Sequence, residues 1–203
     1  MASPKWGERS PSLLARLAQS ARNALRTEPA PRSGLRELPL ALRRAELAAP
    51  YLAAEREGDH RRAAVAAVAS MDRAIAGEEW WAADIWAHRG LWHFEQAGMA
   101  LQATRQARRI GELRFAAGDP HTARRYYAEA IDEARDIGAE HEQGLAARGL
   151  GQALMELGRV TEARRLASAA VDLLERAEAP ASEIAAAREL LGREVAVGET
   201  EES

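Results

Sequence analysis

Cysteine is absent from the 203 residues, which excludes a disulfide framework, a thiolate metal site and a cysteine nucleophile. Lysine is nearly absent too, since Lys5 alone stands beside 27 arginines. With abundant Ala and Gly, that bias fits a GC-rich bacterial genome, so an arginine cluster carries less information here than it would elsewhere. A formal net charge of −3 leaves no global positive field to attract nucleic acid. No apolar run approaches the roughly 18 residues that span a bilayer. The start, MASPKWGERSPSLLARLAQ, lacks the apolar stretch and small-residue cleavage site of a signal peptide, and a cytoplasmic location is expected. Walker, GxGxxG, HExxH and GxSxG motifs are all missing. Neither an enzyme nor a cofactor is therefore expected.

What the sequence has in quantity is helix formers. From Leu40 onward Ala, Leu, Glu, Arg and Gln dominate, interrupted at Gly58, Gly77, Gly98, Gly118, Gly138, Gly158 and Pro180. Glycine just past a helix end adopts the left-handed conformation cheaply. Asp119 and Pro120 add an N-cap followed by proline at the first helical position. The intervals predict an all-α chain of roughly 17- to 19-residue helices joined by one- or two-residue turns. Pro50 is expected to kink or split the helix spanning 40–57.

Three segments follow. Residues 1–39 form an arm. In it Ser12 to Arg26 sets Leu13, Leu17, Ala18, Ala21 and Leu25 on one stripe, and the Pro-rich TEPAPRSGLRELP follows. Such a basic amphipathic segment suits a partner or an anionic membrane, or packs back on the body. Residues 40–197 form the helical body, closed by a terminal helix over Glu183 to Val197, and 198–203 are an acidic tail.

The body repeats. A shift of 40 residues superposes Ala107 on Ala147, Arg108 on Arg148, Gly111 on Gly151, Gly118 on Gly158, Ala123 on Ala163 and Ala130 on Ala170. A period of that size means stacked helix pairs, each too small to bury its apolar face alone. Residues 123, 127, 130, 134 and 137, and their counterparts 163, 167, 170, 174 and 177, form one packed stripe. Gly111 and Gly151 sit in mid-helix at a propensity cost of up to about 1 kcal/mol. Close approach of a neighbouring helix is the expected compensation.

This pattern resembles the tetratricopeptide repeat (TPR). The family's large-residue–glycine pair, small residue, alanine, aromatic and alanine match Ile110, Gly111, Gly118, Ala123, Tyr127 and Ala130, then Leu150, Gly151, Gly158, Ala163, Ala167 and Ala170. A weaker earlier unit has Gly77, Ala82 and Trp86. The period is longer than the usual one, as in long-helix variants of bacterial regulators, and the family's early Trp and closing Pro are missing. The resemblance, over roughly residues 60–178, implies a right-handed α-solenoid with a C-terminal capping helix. It also implies a concave groove for a peptide or helix of another protein. The groove-facing positions fall on Arg105, Arg108, Glu112 and Phe115, and then on Leu145, Arg148, Gln152 and Met155. Stacked Arg108 and Arg148 suit carboxylates, as in carboxylate-clamp TPRs that hold acidic C-terminal peptides, although Glu112 stands where asparagine is expected. The alternative for these positions is a solvated helix face.

Helix 78–97 carries Trp80, Trp81, Trp86, Trp92 and Phe94 within fifteen residues. Burial between both neighbouring units explains them, or else a second interface, to a partner or another copy of the chain. On that second reading the protein is a self-associating scaffold or regulatory subunit, acting through this helix or the arm. Asp84 and His88 share a helix face, where a hydrogen-bonded pair is expected before a metal site. The remaining histidines fall on different helices without ligand spacing.

Overall fold

A computed structural model describes residues 45–192, with side chains from Ala48 onward. The arm 1–39, its linker, the acidic tail and the last residues of the expected terminal helix lie outside the described residues. Within them there are eight helices and no strand: α1 (Ala45–Arg56), α2 (His60–Ala76), α3 (Trp80–Gln96), α4 (Ala100–Ala116), α5 (Pro120–Asp136), α6 (Glu140–Glu156), α7 (Val160–Arg176) and α8 (Ala181–Gly192). Each packs on its neighbours in sequence, and α6 also reaches α4 on one side and α8 on the other.

Six consecutive helices have 17 residues each, and three-residue turns connect α1 through α7. The turns are therefore longer than the sequence spacing suggested. The reason lies in the cap. A residue with positive φ recurs every twenty positions: Gly58, Glu78, Gly98, Gly118, Gly138, Gly158 and Glu178. The following N–H reaches back to close the helix end, as in Asp119 N to Arg114 O at 2.9 Å and Ala139 N to Ala134 O at 2.8 Å. This is the Schellman arrangement, and it needs one residue beyond the left-handed position before the next helix begins. One assignment from sequence is corrected here. The left-handed residue is Glu78, not Gly77, whose φ is −89°. At the last turn the left-handed residue is Glu178, two positions before the break expected at Pro180. Asp119 caps α5 as expected, accepting from Thr122 N at 3.0 Å with Pro120 at the first helical position.

Small residues set the packing. Ala63, Ala67, Ala83, Ala87, Ala107, Ala123, Ala130, Ala163 and Ala170 are fully buried, and Met71, Trp86, Ile110, Tyr127 and Leu174 fill the spaces between them. The stripes on α5 and α7 are buried at 123, 127, 130 and 134 and at 163, 167, 170 and 174. Ile137 departs from the expectation and is exposed, because the helix has ended and 137 is its C-cap. The twenty-residue beat also moves the earlier unit by one position. Ala83 and Ala87, not Ala82 and Trp86, occupy the places of Ala123 and Tyr127.

Both mid-helix glycines have the close neighbour that was expected. A Cβ on Gly111 would meet the Tyr127 ring at 2.9 Å, and one on Gly151 would meet Leu190 Cδ2 at 2.9 Å and the Ala163 carbonyl at 3.2 Å. Buried Gln106 is a polar peg on α4, giving hydrogen bonds to Ala87 O at 3.1 Å and Met71 Sδ at 3.2 Å. Pro50 neither ends nor splits α1, which runs through it. The last described helix begins at Ala181, two residues before the expected start.

Candidate functional site

The face singled out by sequence is built from α4 and from the middle and second half of α6. Arg105 and Arg108 lie one turn apart on α4, so their side chains share a side of the helix. Both turn toward α6, where Glu142 receives them: Arg105 Nε donates to Oε1 at 2.7 Å and Arg108 Nε to Oε2 at 3.1 Å. Glu142 is 4 % exposed. Arg108 has a second partner in Glu112, one turn along its own helix. Burial by itself would lower the Arg108 pKa, but the carboxylates of Glu112 and Glu142 outweigh it and hold the guanidinium above the ordinary arginine range.

Two of the eight expected residues are thus engaged by a carboxylate that sequence reasoning did not name. Glu142 gave no sign of it, because 34 residues separate it from Arg108 and a glutamate in a first helical turn ordinarily reads as dipole compensation.

Arg148 differs from the other two. It is half-buried, and its Nε is shielded from solvent without a hydrogen-bond partner among the described residues. The Tyr127 ring lies between the two layers, against Gly111 on α4 and Gly149 on α6. Its hydroxyl is within electrostatic range of Arg108, Arg148 and Glu112, and burial is the main cause pushing its pKa up. Phe115 and Gln152 are half-buried, while Met155 is buried in the core with Leu154 and Leu190. Met155 therefore belongs to the packing rather than to an open surface, as does Leu145.

The tryptophan helix is mostly interior. Trp80 and Trp86 are buried and Trp81 is partly covered, which leaves Trp92, 50 % exposed, as the ring open to solvent. Of the two explanations for the Trp-rich helix, burial holds for Trp80 and Trp86. On the same helix Asp84 and His88 approach side chain to side chain at 3.8 Å without a hydrogen bond between them. His88 Nδ1 lies 2.8 Å from the Asp84 backbone oxygen, Arg114 takes the Asp84 carboxylate at 2.7 Å, and His88 Nε2 meets the Tyr126 hydroxyl at 2.8 Å. No group of three or more His, Cys, Asp or Glu able to hold a metal occurs among the described residues. None of their helices is long and apolar enough to cross a membrane.

A recess of about 390 Å³ opens elsewhere, between the end of α3, the start of α4 and the end of α5. Glu95, Glu133, Met99, Ala103, Thr104 and Ile137 line it. Burial and the neighbouring Glu129 and Glu95 raise the Glu133 carboxyl above its usual range despite the nearby Thr104 hydroxyl. Its Oε2 is buried without a partner among the described residues. Sequence reasoning did not anticipate this recess, since its walls come from three helices. No protein-family model matches the chain, and no curated protein matches it.

Proposed function

We propose that this protein is a TPR-like interaction module that binds an acidic segment of another protein along the α4–α6 face. On this reading the helix pairs α2–α3, α4–α5 and α6–α7 stack as a right-handed solenoid with α8 as its cap. Support comes from the contacts of α6 with α4 and with the cap α8, which set the first helices of the last two pairs beside each other. The observation that carries the binding chemistry is the seating of Glu142 between Arg105 and Arg108. That fork already accepts a carboxylate in bidentate fashion. Arg148, with its shielded and unpaired Nε, offers the same chemistry to a guest. Helix or peptide docking along a helical face is a recurrent mode of such recognition.

The test uses the full chain and a fluorescently labelled hexaglutamate peptide with a free C-terminus, followed by anisotropy. Binding that weakens as salt rises is expected. Arg148→Gln should weaken it roughly tenfold, the value of one charge-assisted hydrogen bond. Arg148 is the discriminating position because Arg108 is bound up in the fold. No binding at low salt, or equal binding by Arg148→Gln, rejects this face. A self-associating scaffold is the alternative, and half-exposed Trp92 is the feature that favours it. A monomer at all concentrations in sedimentation removes that alternative.

A further inference from the structure

α1 is held in an unusual way. Among the described residues its backbone packs on α2 alone, and Pro50 withholds one N–H from its interior. Buried Tyr51 is its anchor. The Tyr51 ring meets Trp86 edge-on at 5.1 Å, and its hydroxyl begins a chain of hydrogen bonds through three helices. Tyr51 donates to Glu55 Oε1 at 3.0 Å, the same hydroxyl lies 3.0 Å from His93 Nε2, and His93 Nδ1 lies 3.0 Å from His60 Nδ1.

These contacts fix the protons. Because the Tyr51 O–H points at Glu55, its oxygen must accept from His93 Nε2–H. Neutral His93 then carries its lone pair on Nδ1 and accepts from His60 Nδ1–H. Every position in the chain is satisfied while His93 is neutral. A proton added at His93 Nδ1 meets the N–H of His60 unless that ring changes tautomer. In either case it leaves an imidazolium at a residue 1 % exposed, close to the Arg89 guanidinium that sits 5.0 Å from the Tyr51 ring centroid. Glu55 and Tyr51 from α1, His60 from α2 and Arg89 from α3 are the groups that bear on it, and α4 brings none among the described residues.

We infer that the Tyr51–His93–His60 chain is a proton-operated latch: protonation releases α1 and uncovers an apolar surface on α2 and α3. That surface belongs to the core cluster in which Ala48, Tyr51 and Ala54 of α1 join Ala63, Ala67, Met71, Ala83 and Trp86 of α2 and α3, with Tyr51 directly on Trp86. Burial first, and then His60 and Arg89, lowers the pKa of His93, outweighing Glu55 of α1, which raises it. The sign follows directly. The burial that α1 adds by laying the Tyr51 ring against His93 disfavours the proton, so the docking free energy is intact above the ordinary histidine range and falls as pH drops through about 6.5 toward the lowered value.

The experiment is hydrogen exchange by mass spectrometry on the full chain between pH 7.5 and 5, corrected for intrinsic rates, with a dye for exposed apolar surface alongside. Protection of residues 45–56 should fall roughly tenfold per pH unit once below the ordinary histidine pKa. Dye binding should rise in step, while α5 to α7 keep their protection. His93→Gln, whose amide donates to Tyr51 and accepts from His60 without titrating, should keep α1 protected at pH 5. Unchanged α1 protection in the native chain, or an equal loss across α5 to α7, overturns the latch. So does the same acid response in His93→Gln. If His93→Gln leaves α1 open already at pH 7.5, the ring carbon shift of His93 in the native chain decides. Its titration must share the midpoint of α1 release, and midpoints a pH unit apart overturn the inference.

Discussion

The ring of Tyr127 occupies the space where Gly149 would carry a side chain: a Cβ there would lie 2.5 Å from Tyr127 Cε1. Two glycines on different helices, Gly111 and Gly149, thus hold one aromatic between them. Gly149→Ala is expected to destabilise the fold by about 1–3 kcal/mol, the usual range for overpacking. Combining it with Tyr127→Leu should cost less than the sum of the two single changes, because the second removes the clash made by the first. Urea denaturation of the four proteins measures this, and strict additivity would refute the wedge.

Arg108 and Glu142 are both largely out of solvent, with side chains 15 % and 6 % exposed. Arg108→Gln leaves Glu142 a buried carboxylate held by Arg105 alone, and a loss of about 3 kcal/mol is expected. Replacing both, Arg108→Gln with Glu142→Gln, should recover most of that loss. A double-mutant cycle by chemical denaturation separates the outcomes; equal stability of the single and double variants would show that the pair is not coupled.

Glu178 turns the chain after α7 with φ of 51°, a conformation that costs a non-glycine residue roughly 1 kcal/mol. Glu178→Gly is therefore expected to raise stability by several tenths of a kcal/mol, part of the gain being lost to the freer unfolded chain. Gly118→Ala, at the same place one unit and a half earlier and with φ of 79°, should lower it. Thermal melting of both variants gives the comparison, and changes of the same sign would contradict it.

Glu133 is an acid whose burial and acidic neighbours raise its pKa. Its folded form thus holds a proton more tightly than its unfolded form does. The group is without penalty at low pH and becomes a liability as pH rises through the ordinary carboxylate range toward the raised value. Glu133→Gln should be more stable than the native chain at pH 7, with the difference vanishing near pH 4. Paired denaturation curves at the two pH values are the measurement. A difference that is constant with pH would assign the effect to something other than titration.

Much of the framework could be read without coordinates because it depends on local chemistry. Asp119–Pro120 states a helix start, and glycine at 58, 98, 118, 138 and 158 states a helix end. The alanines at 123, 130, 163 and 170 state a tight interface. Reading failed where composition and geometry disagree. Gly77 drew attention away from Glu78, since the left-handed turn residue is a glycine at most of these corners but not at two of them. Met155 has the spacing of a face residue, yet it is buried in a cluster with Ala163 and Ala167 of α7 and Leu190 of α8. The hidden partners were the larger omission. Glu142 for Arg108 and His93 for His60 are 34 and 33 residues apart in the chain. Only the stacking of helices brings them within 3.1 Å and 3.0 Å, and no short-range pattern encodes such a meeting.

The left-handed corners at 58, 78, 98, 118, 138, 158 and 178 keep an unbroken count of twenty. Each added residue in a helix swings everything beyond it by about 100°, so one extra amino acid inside α5 would send Ala130 and its companions to the outside. Only length changes in multiples of twenty keep the corners in step. A forty-residue block spliced in or cut out at a corner keeps that count, whereas the smallest frameshift of the pattern breaks it.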